Sequence, residues 1–222
     1  MSGLMAVIFD FDGVILDSET TEFEAHRLIY EQCGVALTPD EWCDQIGTWV
    51  DGHAGRWCKR LSELSDRAPD LKTFEAEKHR LCQALVSYEP MRGIRTLVDA
   101  LADAAVPTAI ASTSPARWVV AAVERAGLRD RFPTIVTADD VTRRKPAPDV
   151  YLEAARRLGV APAQSIAIED SGPGIASARA AGMKTIAIPH WLTERHDLSA
   201  ADLRVAHAGD LTIGILQALV ND

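Results

Sequence analysis

Short apolar runs, most of them closing on a polar residue and separated by stretches of helical periodicity, recur along this 222-residue chain and leave it few ways to fold. Ala6–Phe9 is one such run, and Val106–Ala111, Ile135–Val136, Ser165–Ile168 and Thr185–Ile188 follow it. A strand with no polar alternation is buried on both faces, which is the condition of a parallel sheet covered by helices on each side. Between the runs, Ile94–Ala104, Pro115–Ala126, Pro148–Leu158 and Gly174–Ala181 read as helices, three of them followed by Gly127, Gly159 or Gly182, and Leu211–Val220 closes the chain as an amphipathic helix. The alternation calls for an α/β fold with a doubly wound parallel sheet.

The segment after the first run has a different texture. Ser18–Cys33, Thr38–Asp44, Arg56–Leu64 and Leu71 to about Ser87 carry helical spacing, and no strand is evident among them. A glycine-bounded break, Gly47-Thr48-Trp49-Val50-Asp51-Gly52, interrupts the series. The expected organisation is a core of residues 1–16 and 89–222, with an all-helical insert over residues 17–88.

Composition excludes several classes of protein. With 47% apolar and 25% charged residues the chain is neither disordered nor fibrous, and its net charge of −9 disfavours nucleic acid or an anionic membrane as partner. No apolar run approaches the roughly 18 residues of a membrane span. The N-terminal MSGLM enters the first strand without a charged region or a cleavage site, so the cytoplasm is the expected compartment. Cys33, Cys43, Cys58 and Cys82 form no metal-binding spacing and read as buried free thiols.

In open α/β sheets ligands bind at the carboxyl ends of the strands, and chemistry-bearing residues stand at those ends here. Asp10-Phe11-Asp12-Gly13 follows the first run; taken alone it reads more readily as a turn, and the partners at the other strand ends shift the balance. Ser112, Thr113 and Ser114 follow the second, ahead of a helix start, where a hydroxyl and free amides suit a phosphate oxygen; Ser114 reads equally as that helix's N-cap. Lys145 sits within Arg143-Arg144-Lys145-Pro146-Ala147-Pro148-Asp149, whose two arginines read as solvated. Glu169 and Asp170 end the fourth run, and adjacent buried carboxylates need a cation or donors. Mg²⁺, which takes oxygen ligands with one or two carboxylates, fits Asp10 and Asp170 with Glu169 near.

These four motifs, in this order and with a helical insert straight after the first, resemble the haloacid dehalogenase superfamily, and within it the β-phosphoglucomutase-like branch of phosphatases and sugar-phosphate mutases. The resemblance spans essentially the whole chain and implies a Rossmann-like core with a helical cap. It implies that Asp10 is the nucleophile that becomes an aspartyl-phosphate, and that Asp12 is the general acid/base whose backbone carbonyl also faces Mg²⁺. Ser112 would hold a phosphate oxygen, with Gly13 and Thr113 beside the substrate. Lys145 would neutralise Asp10 and the phosphate, and Glu169 with Asp170 would complete the metal site. The superfamily's dehalogenases lack the second aspartate, so Asp12 argues for phosphoryl transfer.

The expected activity is a Mg²⁺-dependent phosphatase, a monomer or weak homodimer, acting on a small phosphorylated metabolite such as a sugar phosphate or phosphoglycolate. A β-phosphoglucomutase is the enzymatic alternative, and a non-catalytic binding protein on the same fold is the third. A mutase must hold a second phosphate in its cap, and where that family carries an arginine the Gly47–Gly52 loop has no basic residue. Trp49 either stacks on a sugar or packs into the cap. His53, Arg56 and Lys78 are the candidates to supply the missing charge, each equally readable as a solvated helix residue.

Overall fold

The computed structural model describes residues 4, 6–44, 46 and 53–221. Among the described residues six parallel strands form one sheet in the order β3-β2-β1-β4-β5-β6, comprising β1 (Ala6–Phe9), β2 (Thr108–Ala111), β3 (Thr134–Val136), β4 (Ser165–Glu169), β5 (Lys184–Ala187) and β6 (Leu203–Arg204). This is the doubly wound arrangement, and its strand order reverses at β1. The register sets Phe9 level with Ile110 on one side and Ile168 on the other, so the residues that follow all three strands emerge at one edge.

Helices cover both faces. Val7 and Phe9 point into a core shared with α5 (Ile94–Asp103), α6 (Ala116–Arg125) and α9 (Ile213–Asn221), while Ile8 faces α7 (Asp149–Leu158) and α8 (Gly172–Ala180). That split is the two-residue period of a strand with both faces buried. Among the described residues no helix is long and apolar enough to cross a membrane.

Between β1 and α5 lie four helices and no strand among the described residues: α1 (Ser18–Gln32), α2 (Pro39–Cys43), α3 (His53–Leu64) and α4 (Leu71–Leu85). They enclose their own apolar cluster, in which Trp42 stacks on Trp57 at 5.0 Å beside Phe23, Tyr30, Leu61 and Phe74. Leu192, from the loop after β5, reaches into it. The four cysteines are free, with Cys82 only partly buried.

Several boundaries differ from the sequence reading. The second strand begins at Thr108, because the chain first turns through Ala105 (φ 53°) and then meets Pro107, which has no N–H to give a ladder. Helix α8 starts two residues early, with the Ser171 hydroxyl accepting from Gly174 N–H and Pro173 in the first turn. Helix α4 ends at Leu85 instead of running on to Ser87, and Val86 adopts an extended conformation. The sixth strand has only two residues, one of them charged, too short to register as a pattern.

Candidate active site

Each site residue is delivered by an element whose sequence explains its position. Asp10 follows β1, and its N–H donates to the Ile168 carbonyl, extending the ladder by one residue beyond the strand. Ser112 follows β2, its N–H held by the Val136 carbonyl. Glu169 and Asp170 close β4. Lys145 comes from the loop ahead of α7, a loop pinned where the Ser177 hydroxyl donates to the Ala147 carbonyl.

Lys145 Nζ donates to Asp10 Oδ1 at 2.7 Å and to Glu169 Oε1 at 2.6 Å, with the ammonium almost fully buried. Glu169 also accepts from the Tyr151 phenol at 2.6 Å, and its Oε2 from Ser171 Oγ and Asp170 N–H, each at 3.3 Å. A Cβ on Gly174 would collide with this carboxyl group, so the glycine is what lets α8 pass. Gly13, with φ near 79°, lies against Asp170, where a Cβ would stand 2.5 Å from Oδ2.

Asp12 is gripped on both oxygens. Oδ1 accepts from Ser18 Oγ at 2.6 Å and Trp118 Nε1 at 3.0 Å, and Oδ2 from Ser114 Oγ at 2.6 Å, with Ser112 Oγ at 3.4 Å. Pro115 takes the N-cap position of α6, and the Ser114 hydroxyl turns to Asp12 instead.

The electrostatics are strained in one direction. Burial, and then the Glu169 charge, push Asp10 up to about 7 against the pull of Lys145. Burial also drives Asp170 well above the ordinary carboxyl range, with the charges of Glu169, Asp10 and Glu19 behind it. Glu19 is raised for the same first reason, with Asp12 next. Burial works against the charge on Lys145, but Asp10 and Glu169 more than offset it, so its pKa rises.

Asp10, Glu169 and Asp170 each offer an oxygen within 4.8 Å of the others. An all-oxygen set whose members resist ionising together is what a hard divalent cation would relieve, so these residues fit Mg²⁺. The arrangement therefore combines a carboxylate at a strand end, an acidic cluster that could hold a cation, an ammonium and a second carboxylate fixed by hydroxyls, beside a cavity of about 420 Å³.

Most residues singled out in the sequence meet here. Asp10, Asp12, Ser112, Thr113, Lys145, Asp170 and Lys78 line the cavity; Gly13 lies behind Asp170, and Glu169 behind Lys145. Lys78 is salt-bridged to Glu22, 3.1 Å from both carboxyl oxygens. Arg56 is elsewhere, exposed in a separate surface depression with Glu41, Asp44 and Glu63, because its turn of α3 faces away from the cavity. Trp49 and the rest of its loop lie outside the described residues, as does the side chain of His53. Arg143 is solvated, as expected, and pairs with Asp149. Sequence reasoning missed Tyr151, Ser18, Trp118 and Glu19; only Ser18, adjoining the first motif, had a local signal.

The haloacid dehalogenase-like hydrolase family model matches residues 7–188. The phosphorylated carbohydrates phosphatase of Thermotoga maritima is 32% identical, over 82% of this chain and 83% of its own length. The fructose-1-phosphate phosphatase YqaB of Escherichia coli K12 is 33% identical, over 81% and 94%. The crystal structure of CbbY from Rhodobacter sphaeroides in complex with phosphate superposes with a TM-score of 0.73 at 26% identity, covering 94% of this chain and 96% of that one.

Proposed function

The chain belongs to the haloacid dehalogenase-like hydrolases, and on that premise we propose that it is a Mg²⁺-dependent phosphatase of small phosphorylated carbohydrates working through an aspartyl-phosphate. The observation that carries the reading is the placing of Lys145 between Asp10 and Glu169, at 2.7 and 2.6 Å, in the wall of the cavity. A lysine so placed favours the ionised, attacking form of a buried carboxylate against the burial that opposes it, and offsets charge on the transferring group.

Asp10 attacks phosphorus; the bond from phosphorus to the sugar oxygen breaks, and Asp12 hands that oxygen a proton. Water then attacks the phosphorus, the bond from phosphorus to Asp10 breaks, and Asp12 takes a proton from that water, releasing inorganic phosphate and restoring both carboxyl groups to their starting states. Ser112 and Thr113 supply donors to the phosphoryl oxygens. Asp10, Asp170, Glu169 and the Asp12 carbonyl would hold Mg²⁺, whose chemistry is to neutralise charge on the phosphoryl group. Residues 17–88 act as a cap domain over the core of residues 1–16 and 89–222, excluding bulk water when closed. The separate apolar cluster of α1 to α4 supports that division.

The mutase reading needs a cation in the cap for a second phosphate. Lys78, the cavity-lining cap lysine, is already engaged by Glu22, which favours hydrolysis of a monophosphate. The test is a panel of sugar phosphates and phosphoglycolate with Mg²⁺ and after chelation. Phosphate release from sugar phosphates that is lost on chelation supports the proposal. Isomerisation of β-glucose 1-phosphate with little free phosphate favours the mutase, and no turnover of any ester contradicts both.

A further inference from the structure

Trp118 lies outside the four motifs, yet it reaches the centre of the site. It sits in the first turn of α6, half-buried, edge-on to Phe11 with ring centres 6.1 Å apart and tilted against Tyr88 at 6.5 Å. Those rings aim its indole N–H at Asp12 Oδ1, 3.0 Å away. The same oxygen takes Ser18 Oγ, from the start of α1, and the other takes Ser114 Oγ.

The chemistry of the donors differs. A serine hydroxyl donates or accepts, whereas an indole N–H only donates. An oxygen facing Trp118 is therefore kept as an acceptor, and a proton on Asp12 goes to Oδ2, beside the hydroxyls of Ser112 and Ser114, which can rotate to suit it. Ser112 is also the residue assigned to a phosphate oxygen, so that side of Asp12 is the one from which a leaving oxygen is reached.

We infer that Trp118 is a positioning residue: it fixes the Asp12 carboxyl so that its proton is carried on the oxygen facing the transferring phosphoryl group. The inference rests on reading Asp12 as the general acid/base. In the step concerned, the bond from phosphorus to the leaving oxygen breaks as Asp10 bonds to phosphorus, and the Asp12 proton passes to that oxygen. A sugar alkoxide cannot leave without the proton; p-nitrophenolate can.

The experiment compares wild type, Trp118→Phe and Trp118→Met, all with Mg²⁺, on a hexose phosphate and on p-nitrophenyl phosphate. Phenylalanine keeps a ring against Phe11, and methionine is a pliable filler that also lacks the donor. In whichever variant folds, kcat/KM for the hexose phosphate should fall about 10- to 100-fold, carried by kcat, as for a misplaced general acid. For p-nitrophenyl phosphate, kcat/KM should stay within about threefold, since that leaving group needs little acid assistance. In an Asp12→Asn background the Trp118 substitution should add almost nothing, because the two act as one unit. Equal losses on both esters, a rise in KM with kcat unchanged, or additivity with Asp12→Asn would overturn the inference while leaving the phosphatase reading intact. If neither variant folds, the positioning role gives way to a structural one. A wild type that hydrolyses neither ester would remove the reading and the inference together.

Discussion

The phenol of Tyr151 donates to Glu169 Oε1 at 2.6 Å, the oxygen that also accepts from Lys145 at 2.6 Å. The Lys145 ammonium lies 5.0 Å from the centre of the same ring. Tyr151 thus backs the ion pair from inside the core. Tyr151→Phe keeps the ring and removes a buried bond to a charged group, worth about 1.5–3 kcal/mol. The melting temperature should drop by about 5 °C, with a smaller effect on kcat than any change at Asp10. An unchanged melting curve would mean that Glu169 is held without it.

Lys145 is the cation that Asp10 and Glu169 share. Lys145→Met leaves two buried carboxyl groups uncompensated, a loss of roughly 3–5 kcal/mol in metal-free protein. Activity should fall about 10²- to 10³-fold, as when a preorganised charge-stabilising group is removed. Calorimetry under chelating conditions and phosphate release at saturating Mg²⁺ check the two halves separately.

Adding Mg²⁺ should stabilise the chain by mass action, by about 2.7 kcal/mol at a hundredfold excess over Kd. Asp170, buried against Gly13, is the residue on which this depends most, because burial and its acidic neighbours make its ionised form costly without a cation. Asp170→Asn should abolish the Mg²⁺-induced rise in melting temperature. A full rise in that variant would place the ion elsewhere.

The same stabilisation should depend on pH. Asp10 is raised from 3.8 to about 7 in the fold, by burial first and the Glu169 charge second. Between those values the native state keeps a proton that the unfolded chain has released. Through Asp10, metal-free stability therefore falls as pH rises across that window. A bound cation favours the ionised form, so the Mg²⁺-induced melting shift should be larger at pH 8 than at pH 5. Equal shifts would contradict the assignment of Asp10 to the metal.

Much of this was legible in the sequence because Asp10, Ser112 and Glu169-Asp170 sit at the ends of apolar runs, and a parallel sheet in register brings such ends together whatever the details of packing. Lys145 was legible through its motif. Trp118 and Tyr151 were not, since a tryptophan or tyrosine at helical spacing reads as core, and only the tertiary approach of residue 118 to residue 12 brings its N–H to the site. Arg56 misled because periodicity places a charge on a helix but does not say which way that face looks. The two-residue β6 fell below any pattern.

The central claim, that Asp10 carries the phosphoryl group, is tested most directly by Asp10→Asn, which keeps the shape of the side chain and removes the attacking charge. The measurement is phosphate release from a sugar phosphate at saturating Mg²⁺, on folded protein. Turnover at background is the expected result, and turnover near that of the wild type would contradict it.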